Sequence, residues 1–274
     1  MQNFDLKIGF IGGGNMAQAI VGGLLNNGHN PQRIMVADPS ETQRARMIAL
    51  NPDIQTGNTN AKVAGFAEML VLAVKPQLMA DVARELADAL HGDRLIVSIA
   101  AGIRLSRIQQ WFGAAMPVVR VMPNQPALVG AGMSVLIASD ECQAQHRNNA
   151  EYMAGAVGRS AWIRDESLMD AVTAISGSGP AYFYLLMEMM SASARDMGLS
   201  EELSRLLTRQ TALGAGLSAQ QSDEAVRTLR ASVTSPGGTT AAALEVLEKG
   251  DIRGLFAEAL KAAQARSREL GNDS

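Results

Sequence analysis

The chain has 274 residues, a mass of 29.0 kDa and a formal net charge of −3, with 24 Lys and Arg against 27 Asp and Glu. Hydrophobic residues make up 47% and charged residues 19%, which suits one large or two ordinary globular domains and excludes a disordered chain. A chain with this charge offers no basic field to a nucleic-acid backbone, so nucleic acid is not expected as a partner.

Short apolar runs alternate with helical patterns through the first part of the chain. The expected strands are Lys7–Ile11, Arg33–Ala37, Met69–Val74, Leu95–Ser98 and Val118–Val121, with edge strands at Gly132–Ile137 and Ala161–Arg164. The expected helices run to about Asn27, over Ser40–Leu50, from Pro76 through Ala89, over Arg104–Trp111 and over Glu141–Val157. This alternation predicts an α/β domain of Rossmann type, with a parallel sheet covered on both faces.

After Asp165 the sequence becomes rich in Ala, Leu, Met and Glu, and few strand-like runs remain. The expected helices are Ser167–Ile175, Ala181–Met197, Ser200–Ala219, Asp223–Ser232, Thr239–Lys249 and Ile252–Leu270. Two segments rich in Gly and Pro, Ser176–Pro180 and Ser235–Thr240, are expected to interrupt them. We therefore predict a dinucleotide-binding domain over residues 1–164 and an all-helical substrate and dimerisation domain over residues 165–274.

The helix that begins at Ala181 is apolar nearly all round. A helix on the surface of a monomer shows one polar face, and a domain of roughly 110 residues has few helices with which to cover this one. We expect a second subunit to supply the covering. The alternative is a central helix in a monomeric bundle.

The few cysteines and histidines, together with the short apolar runs, exclude several further kinds of site. Cys142 is the only cysteine, which excludes an intramolecular disulfide and a cysteine-cluster zinc site. Because His29, His91 and His146 lie far apart in the sequence, we expect no metal. Met1–Leu6 lacks the pattern of a secretory signal, and the apolar runs fall short of the ~20 residues that cross a bilayer. We expect a cytoplasmic protein without a membrane partner.

A glycine cluster directly follows the first predicted strand and opens a helix. It fits the pattern G-x-G-x-x-A, and its residues are Gly12, Gly13, Gly14, Asn15, Met16 and Ala17. In this pattern Gly12 permits the tight turn, Gly14 lets a pyrophosphate approach the backbone, and Ala17 lets helix and strand pack closely. The free N–H groups of the helix start then face the phosphates. The cluster predicts dinucleotide binding; the alternative is a glycine-rich turn that only packs tightly.

The residues after the second predicted strand leave the choice of cofactor open. Asp38 is placed to accept a hydrogen bond from a ribose 2′-hydroxyl, which favours NAD(H). Ser40 and Arg44 follow closely, and a hydroxyl with a guanidinium can hold the 2′-phosphate of NADP(H). Alternatively, Arg44 is a solvated helix charge. Both cofactors stay possible, with NADPH slightly favoured.

The ends of three more strands are expected to line the cofactor groove, because ligands of such sheets lie over the carboxyl ends of the strands. Ala73, Val74, Lys75 and Pro76 follow one strand, Ala100 and Ala101 follow the next, and Asn124 follows the third. Small residues there leave room for a nicotinamide, and Asn124 offers a hydrogen-bonding group near its ring. The alternative is that these are ordinary turns, where Pro, Gly and Ala are common.

The segment Ser235–Thr240 combines proline, two glycines and two threonines before a predicted helix. Backbone amides that converge at a helix start favour a small carboxylate. The alternative is a capping turn in which Thr239 or Thr240 only caps the helix. Neither this segment nor Ser176–Pro180 contains a strong acid, base or nucleophile. Hydride transfer from a cofactor to a C=N bond fits that absence, because a protonated imine is already electrophilic.

Six segments, spread from near the N-terminus to residue 240, resemble pyrroline-5-carboxylate reductase. They are Ile8–Ala17 (IGFIGGGNMA), Ala73–Gln77 (AVKPQ), Ser98–Gly102 (SIAAG), Arg120–Pro126 (RVMPNQP), Ser176–Tyr182 (SGSGPAY) and Val233–Thr240 (VTSPGGTT). Many dehydrogenases share the first segment, whereas SGSGPAY together with VTSPGGTT is much more specific. The resemblance implies reduction of L-1-pyrroline-5-carboxylate to L-proline by NAD(P)H, the last step of proline biosynthesis.

The resemblance also implies roles for individual residues. Gly12–Met16 would cradle the pyrophosphate, Ser40 and Asn60 would lie near the adenosine end, and Ala73–Pro76 with Ala100 and Ala101 would contact the nicotinamide half. The residues implied at the substrate are Ser178, Ser235, Gly237, Gly238 and Thr239, with the hydroxyl of Thr240 against the ring nitrogen. The family forms interlocked dimers, which often assemble into decamers.

One position departs from the family pattern, and two other functions compete. Val226 stands where the family commonly has proline, so the helix expected over Asp223–Ser232 can start elsewhere, and neither Asp223 nor Glu224 is assigned a role. A β-hydroxyacid dehydrogenase would need a lysine at the reacting group, but Lys249 and Lys261 lie outside any glycine-rich turn. A nucleotide-sensing scaffold without turnover would not need the second cluster. The reductase therefore leads, provided that Gly14 and Thr240 serve one cleft.

Overall fold

The computed structural model describes residues 5–86, 89–90 and 94–272. Contacts divide the chain into two units, one of Met1–Ser178 with Ala263–Ser274 and one of Gly179–Ala262. The domain boundary expected between residues 164 and 165 stays a prediction. It marks a change of composition, whereas these two units are separated by their contacts.

The first unit is built on an eight-stranded sheet. Its strands are β1 (Ile8–Ile11), β2 (Ile34–Ala37), β3 (Gln55–Gly57), β4 (Met69–Leu72), β5 (Leu95–Ser98), β6 (Val118–Met122), β7 (Gly132–Ala138) and β8 (Gly158–Trp162). They lie in the order β3-β2-β1-β4-β5-β6-β7-β8. Every neighbouring pair is parallel except β6 and β7, so the predicted Rossmann-type parallel sheet is confirmed.

Helices cover both faces of this sheet. They are α1 (Asn15–Asn26), α2 (Glu41–Leu50), α3 (Asn60–Phe66), α4 (Met79–Leu86), α5 (Leu105–Phe112), α6 (Ala144–Gly155) and α7 (Met169–Val172). Phe10 points into the core shared with α1 and α6, and its neighbour Ile11 points into the core shared with α3, α4 and α5. Burial of both faces explains why β1, β2, β4 and β5 are continuous apolar runs.

The structure corrects several predicted boundaries in this unit. The edge strand expected at Ala161–Arg164 lies three residues earlier, because β8 pairs with β7 from Gly158 to Trp162. The helix expected from Pro76 through Ala89 begins as a 3₁₀ turn and becomes α4, which ends at Leu86. Residues 87 and 88, which that prediction also covers, lie outside the described residues. Neither β3 nor α3 was predicted, because both are short and β3 has no apolar run.

The prediction that Ser176–Pro180 interrupts the helices is wrong. After α7 the chain continues through a π-helical turn, Thr173–Gly177, and Ser178 leads directly into the next helix. The N–H of Ser178 donates to the carbonyl oxygen of Thr173 at 2.8 Å, which closes the wide turn. Single π turns inside helices are rare and occur frequently at functional sites.

The second unit is helical. Its elements are α8 (Gly179–Asp196), α9 (Glu201–Gln221), α10 (Val226–Ser232), α11 (Thr239–Lys249) and α12 (Ile252–Asn272), the last of which continues into the first unit. The helix expected from Asp223 starts at Val226, with Asp223 and Glu224 in the turn before it. Val226 thus occupies the first helical position, where proline is favoured.

Large apolar side chains of the second unit stay exposed in a single copy of the chain. They include Phe183 (64% exposed), Leu185 (55%), Leu206 (61%), Leu213 (55%), Val246 (70%) and Leu255 (68%). In α8 the only described residue that is buried is Gly179. An apolar surface of this extent marks an interaction surface.

The described histidines have structural partners in the first unit. His29 is buried and lies 3.0 Å from the hydroxyl of Tyr152 through Nδ1, and burial lowers the pKa of its imidazole. His146 accepts a hydrogen bond from the N–H of Gln143 at the start of α6. His91 lies outside the described residues. Within the residues that the structure describes, no helix is long and apolar enough to span a bilayer.

Candidate functional site

The turn after β1 lies directly against the end of β4. Gly12 has a φ of +99°, and a Cβ there would lie 2.6 Å from the carbonyl oxygen of Ala73. The N–H of Ala73 in turn donates to the carbonyl oxygen of Ile11 at 2.8 Å. Both the backbone conformation and the space therefore require glycine at position 12.

Gly14 borders open space at the start of α1. No described atom lies within 4 Å of the position that a Cβ would take at Gly14, and no described side chain caps the helix there. The first turn, which contains Asn15 and Met16, carries no acidic residue. The free amides and the positive end of the helix dipole thus face open space, an arrangement that favours an anion such as a pyrophosphate.

The backbone of Gly13 already has partners within the protein. Its N–H donates to Oδ2 of Asp38 at 2.7 Å, and its carbonyl oxygen accepts from Nε2 of Gln18 at 2.7 Å. Gln18 also donates to Oε1 of Gln43 on α2. The amide of Gly13 is therefore occupied within the protein, and the free part of the turn is Gly14, Asn15 and Met16.

The loop after β2 is arranged around the carboxylate of Asp38. Its Oδ1 accepts from the N–H of Ser40 at 2.8 Å, while Oδ2 is taken by Gly13. The guanidinium of Arg44 donates through Nη1 to the carbonyl oxygens of Asp38 and Pro39, at 2.7 and 3.0 Å. Asp38 thus fastens two loops together, which weakens the prediction that it serves a ribose hydroxyl. The hydroxyl of Ser40 lies at the exposed start of α2.

The other residues predicted for the cofactor lie at or near the carboxyl ends of the strands. Ala73 and Val74 follow β4 and are half-buried, and Lys75 and Pro76 begin the next turn. Ala100, which is buried, and Ala101, which is exposed, follow β5. Because β1, β4 and β5 are neighbours in the sheet, these turns share one edge with the glycine turn. Asn60 begins α3, and its Nδ2 donates to Oε2 of Glu85 at 2.7 Å.

Asn124 does not present a free amide. Its Oδ1 accepts from the N–H of Met133 at 2.9 Å, and its Nδ2 donates to the carbonyl oxygen of Ser176 at 3.0 Å. Four residues after Ser176 stands Pro180, which has no N–H to offer. Asn124 therefore supplies the donor that the proline lacks, and it holds the π-helical turn just before Ser178, a half-buried residue predicted at the substrate.

In the second unit, Ser235–Gly238 forms the turn that opens α11. Gly237 has a φ of +72°, and the N–H of Gly238 donates to the carbonyl oxygen of Ser235 at 3.0 Å. Gly238 occupies the capping position, and no described side chain caps the helix. The hydroxyls of Thr239 and Thr240 therefore do not cap α11, and its first amides stay available to an anion.

Two family models match the chain. The model "Pyrroline-5-carboxylate reductase dimerisation" matches residues 166–270, and the model "NADP oxidoreductase coenzyme F420-dependent" matches residues 7–102. The chain is 45% identical over 264 residues to the pyrroline-5-carboxylate reductase of Haemophilus influenzae, covering 96% of this chain and 97% of that protein.

Solved structures agree over the whole chain. A pyrroline-5-carboxylate reductase from Coxiella burnetii is 42% identical with a TM-score of 0.92, covering 97% of this chain and 98% of that one. The pyrroline carboxylate reductase of Plasmodium falciparum, solved with NADP bound, is 31% identical with a TM-score of 0.87, covering 99% of each chain.

The open space at Gly14 yields a test of the glycine turn. We expect Gly14→Ala to leave the fold intact, because φ at this position is −68° and nothing described crowds the new methyl group. The methyl group stands where a phosphate approaches, so dinucleotide affinity falls by about tenfold or more, equivalent to about 1.4 kcal/mol. A fluorescence titration with the reduced dinucleotide measures this loss.

The matched control is Gly22→Ala, in the interior of the same helix, where a Cβ also meets open space. This variant keeps its dinucleotide affinity and gains a little helix stability. Equal affinities for the two variants would contradict the assigned position of the phosphates.

Proposed function

The chain belongs to the pyrroline-5-carboxylate reductase family and reduces L-1-pyrroline-5-carboxylate to L-proline with NAD(P)H, and on this basis we propose which of its residues perform each task. The main support for this proposal is the uncapped start of α11, which follows Gly237 in its left-handed backbone conformation. Free amides at this helix start can bind a small carboxylate. The assignments below extend this observation to the cofactor and to assembly.

Gly14, Asn15 and Met16 hold the pyrophosphate on the free amides of α1, with Gly12 and Gly13 shaping the turn beneath them. Ser40, Arg44 and Asn60 bind the adenosine end. The turns Ala73–Pro76 and Ala100–Ala101 contact the nicotinamide half. The uncapped first turn of α1 and the open space at Gly14 support this assignment. When bound, the reduced nicotinamide supplies a hydride to the carbon of the C=N bond.

The substrate carboxylate binds the amides of Gly237 and Thr239, with the hydroxyls of Ser178 and Ser235 as further contacts. Gly238, whose N–H donates to the carbonyl oxygen of Ser235, shapes the turn between them. The hydroxyl of Thr240 lies against the ring nitrogen and orients the imine. Since no described side chain cap engages the start of α11, the Thr240 hydroxyl is not committed to capping. The residues of the chain thus bind the substrate, orient it and polarise its C=N bond. The imine nitrogen carries the proton that makes the neighbouring carbon electrophilic.

Replacing Thr240 tests the substrate assignment. We expect Thr240→Ala to lower kcat by roughly 10- to 100-fold, the effect of removing one oriented hydrogen bond at the reacting group. Cofactor affinity stays nearly unchanged, because Thr240 is assigned to the imine alone. Initial rates with pyrroline-5-carboxylate and a titration with NADPH separate the two quantities.

Thr228→Ala, an exposed threonine on α10, is the control and retains full turnover. A parallel loss of NADPH binding in Thr240→Ala would show that the residue is misplaced. Oxidation of hydroxyacids by the wild-type enzyme at a comparable rate would instead favour the competing dehydrogenase.

We propose NADPH as the preferred cofactor. Each oxygen of the Asp38 carboxylate already accepts one backbone N–H group, which leaves this carboxylate less available to a 2′-hydroxyl. Arg44 uses Nη1 on two carbonyl oxygens, and its other donors with the Ser40 hydroxyl suit a 2′-phosphate. The Plasmodium falciparum relative was solved with NADP, which agrees with this preference.

Exchange of Arg44 tests this preference. We expect Arg44→Gln to lower kcat/KM for NADPH by roughly tenfold and to leave kcat/KM for NADH almost unchanged, because only NADPH carries the phosphate. Arg46→Gln, an exposed arginine on the same helix, changes neither value. A wild-type preference for NADH, or equal losses for both cofactors in Arg44→Gln, would contradict the assignment.

The second unit carries the dimerisation region, and we propose a homodimer that assembles further into a decamer in the cytoplasm. Exposed side chains of α8 and α9, such as Phe183, Leu185 and Leu206, support a covering by a second copy. Their burial stabilises the dimer through the hydrophobic effect, at about 25 cal/mol per Å² of apolar surface.

Sedimentation at micromolar protein tests the assembly. We expect the wild type to sediment as a dimer or a multiple of it, and Leu185→Glu to shift the distribution towards monomer because it places a charge in the apolar surface. Gln145→Glu, an exposed change on α6, leaves the distribution unaltered. A monomeric wild type would refute the dimer.

A further inference from the structure

A pair of glutamines joins α1 to α2 beside the loop that we assign to the adenosine end of the cofactor. Gln18, which is half-buried in α1, donates through Nε2 to the carbonyl oxygen of Gly13 at 2.7 Å and to Oε1 of Gln43 at 2.8 Å. Gln43 is half-buried in the first turn of α2. In the part of the chain that the structure describes, no other side-chain hydrogen bond joins these two helices.

The side chain of Gln43 does not make the bond that its local sequence predicts. Ser40 caps α2, and the side chain of a Gln three residues after a capping Ser usually accepts from the N–H of that Ser. Here the N–H of Ser40 donates instead to Oδ1 of Asp38 at 2.8 Å. The hydroxyl of Ser40 still accepts from the N–H of Gln43, at 3.4 Å. Because Asp38 satisfies the capping residue, the side chain of Gln43 is released to bond with Gln18.

The contacts of Gln18 fix which way round the amide of Gln43 lies. A carbonyl oxygen only accepts, so the atom of Gln18 that contacts the carbonyl of Gly13 must be the amide nitrogen. Since that same nitrogen contacts Gln43, the atom of Gln43 that faces it must be the oxygen. The nitrogen of Gln43 then lies on the other side of its amide, and its two N–H donors have no partner among the described residues. Gln43 therefore presents two donors away from Gln18.

Three kinds of donor lie together at the start of α2. Residues three and four apart are neighbours on the surface of a helix, which places Gln43 and Arg44 beside the capping residue, Ser40. The hydroxyl of Ser40 acts as an acceptor, which leaves its proton to donate. The guanidinium of Arg44 uses Nη1 on two carbonyl oxygens, which leaves its other donors. A phosphate carries three acceptor oxygens, and a hydroxyl, an amide and a guanidinium can each donate to one of them.

We propose that Gln43 is a further specificity-determining residue for the dinucleotide and donates through Nε2 to the 2′-phosphate of NADPH. This inference rests on the NADPH preference proposed above. Gln18 is a positioning residue, because its own amide keeps the oxygen of Gln43 directed towards α1 and the nitrogen directed away from it. Discrimination against NADH thus depends on α1 as well as on the loop after β2, since NADH leaves the amide nitrogen of Gln43 without a partner.

Fluorescence titration of the assembled enzyme with NADPH and with NADH tests the proposal through dissociation constants, without turnover. We expect Gln43→Leu to weaken NADPH binding by roughly fivefold, the loss of one hydrogen bond to a charged group at a half-buried site. Gln43→Glu keeps an oxygen that faces Gln18 but places a negative charge at the phosphate, and it weakens NADPH binding by roughly 20-fold or more. The affinity for NADH stays within about twofold of the wild-type value in both variants, because NADH lacks the phosphate.

Ala49→Glu is the matched control. Ala49 is exposed on the same helix, and it lies about 9 Å beyond Gln43 along the helix axis. The variant adds the same charge as Gln43→Glu but away from the phosphate, so we expect both dissociation constants to stay nearly unchanged.

A double-variant cycle tests the role of Gln18. We expect Gln18→Leu to lower the ratio of the NADH to the NADPH dissociation constant by roughly threefold, because the amide of Gln43 is then able to turn round. In the Gln43→Leu background the same change lowers that ratio no further, since Gln18 acts on the phosphate only through Gln43. A purely structural role of Gln18 would lower the affinity for both dinucleotides alike and leave the ratio unchanged.

Equal losses of NADPH and NADH affinity in Gln43→Leu would overturn the proposal, and so would an unchanged NADPH affinity in that variant. Additive effects of Gln18→Leu and Gln43→Leu on the ratio would overturn the role of Gln18. Titration of Arg44→Gln distinguishes these results from failure of the proposed cofactor preference. If Arg44→Gln loses NADPH affinity selectively while Gln43→Leu does not, only the assignment of Gln43 is wrong. If neither variant loses NADPH affinity selectively, the preference itself is wrong as well.

Discussion

The contact between the glycine turn after β1 and the end of β4 is the constraint on which the proposed cofactor site depends. A Cβ at Gly12 would overlap the carbonyl oxygen of Ala73, so the turn reaches its position only without a side chain. That position sets where α1 begins and leaves the amides after Gly14 facing open space. The neighbouring turns after β4 and β5 then lie along the same edge of the sheet. Steric exclusion at Gly12 thus fixes the position of the turn that we propose for the phosphate end of the cofactor.

Periodicity predicted most of the architecture. Strands β1, β2 and β4 are apolar runs buried on both faces. Helix α11 has the predicted bounds, Thr239–Lys249, because a turn rich in glycine precedes it and Gly250 follows it. Two elements, β3 and α3, were missed, since a three-residue edge strand buries too little to leave a pattern. Local sequence therefore predicts the secondary structure of uniformly buried elements, but it does not predict the short strand at the edge of the sheet.

Hydrogen bonds between distant parts of the chain account for the other differences. Sequence placed Gly13 and Asp38 in the cofactor site as separate ligands, but they lie 25 residues apart and bond to each other. Composition predicted a turn at Ser176–Pro180, where the structure keeps helical backbone with Asn124 as an external donor. Local propensity cannot include a partner some fifty residues away. One signal was present but unused: Arg120 interrupts an apolar strand, and a charge inside a buried strand requires a counter-charge, here Glu166.

The exposed leucines of α8 and α9 make thermodynamic stability a property of more than one chain. A unit that leaves Phe183 and Leu206 in water as a single copy completes its core only on association, so mass action links its unfolding equilibrium to the amount of protein present. Dilution therefore destabilises the second unit more than the first, whose sheet is covered by its own helices.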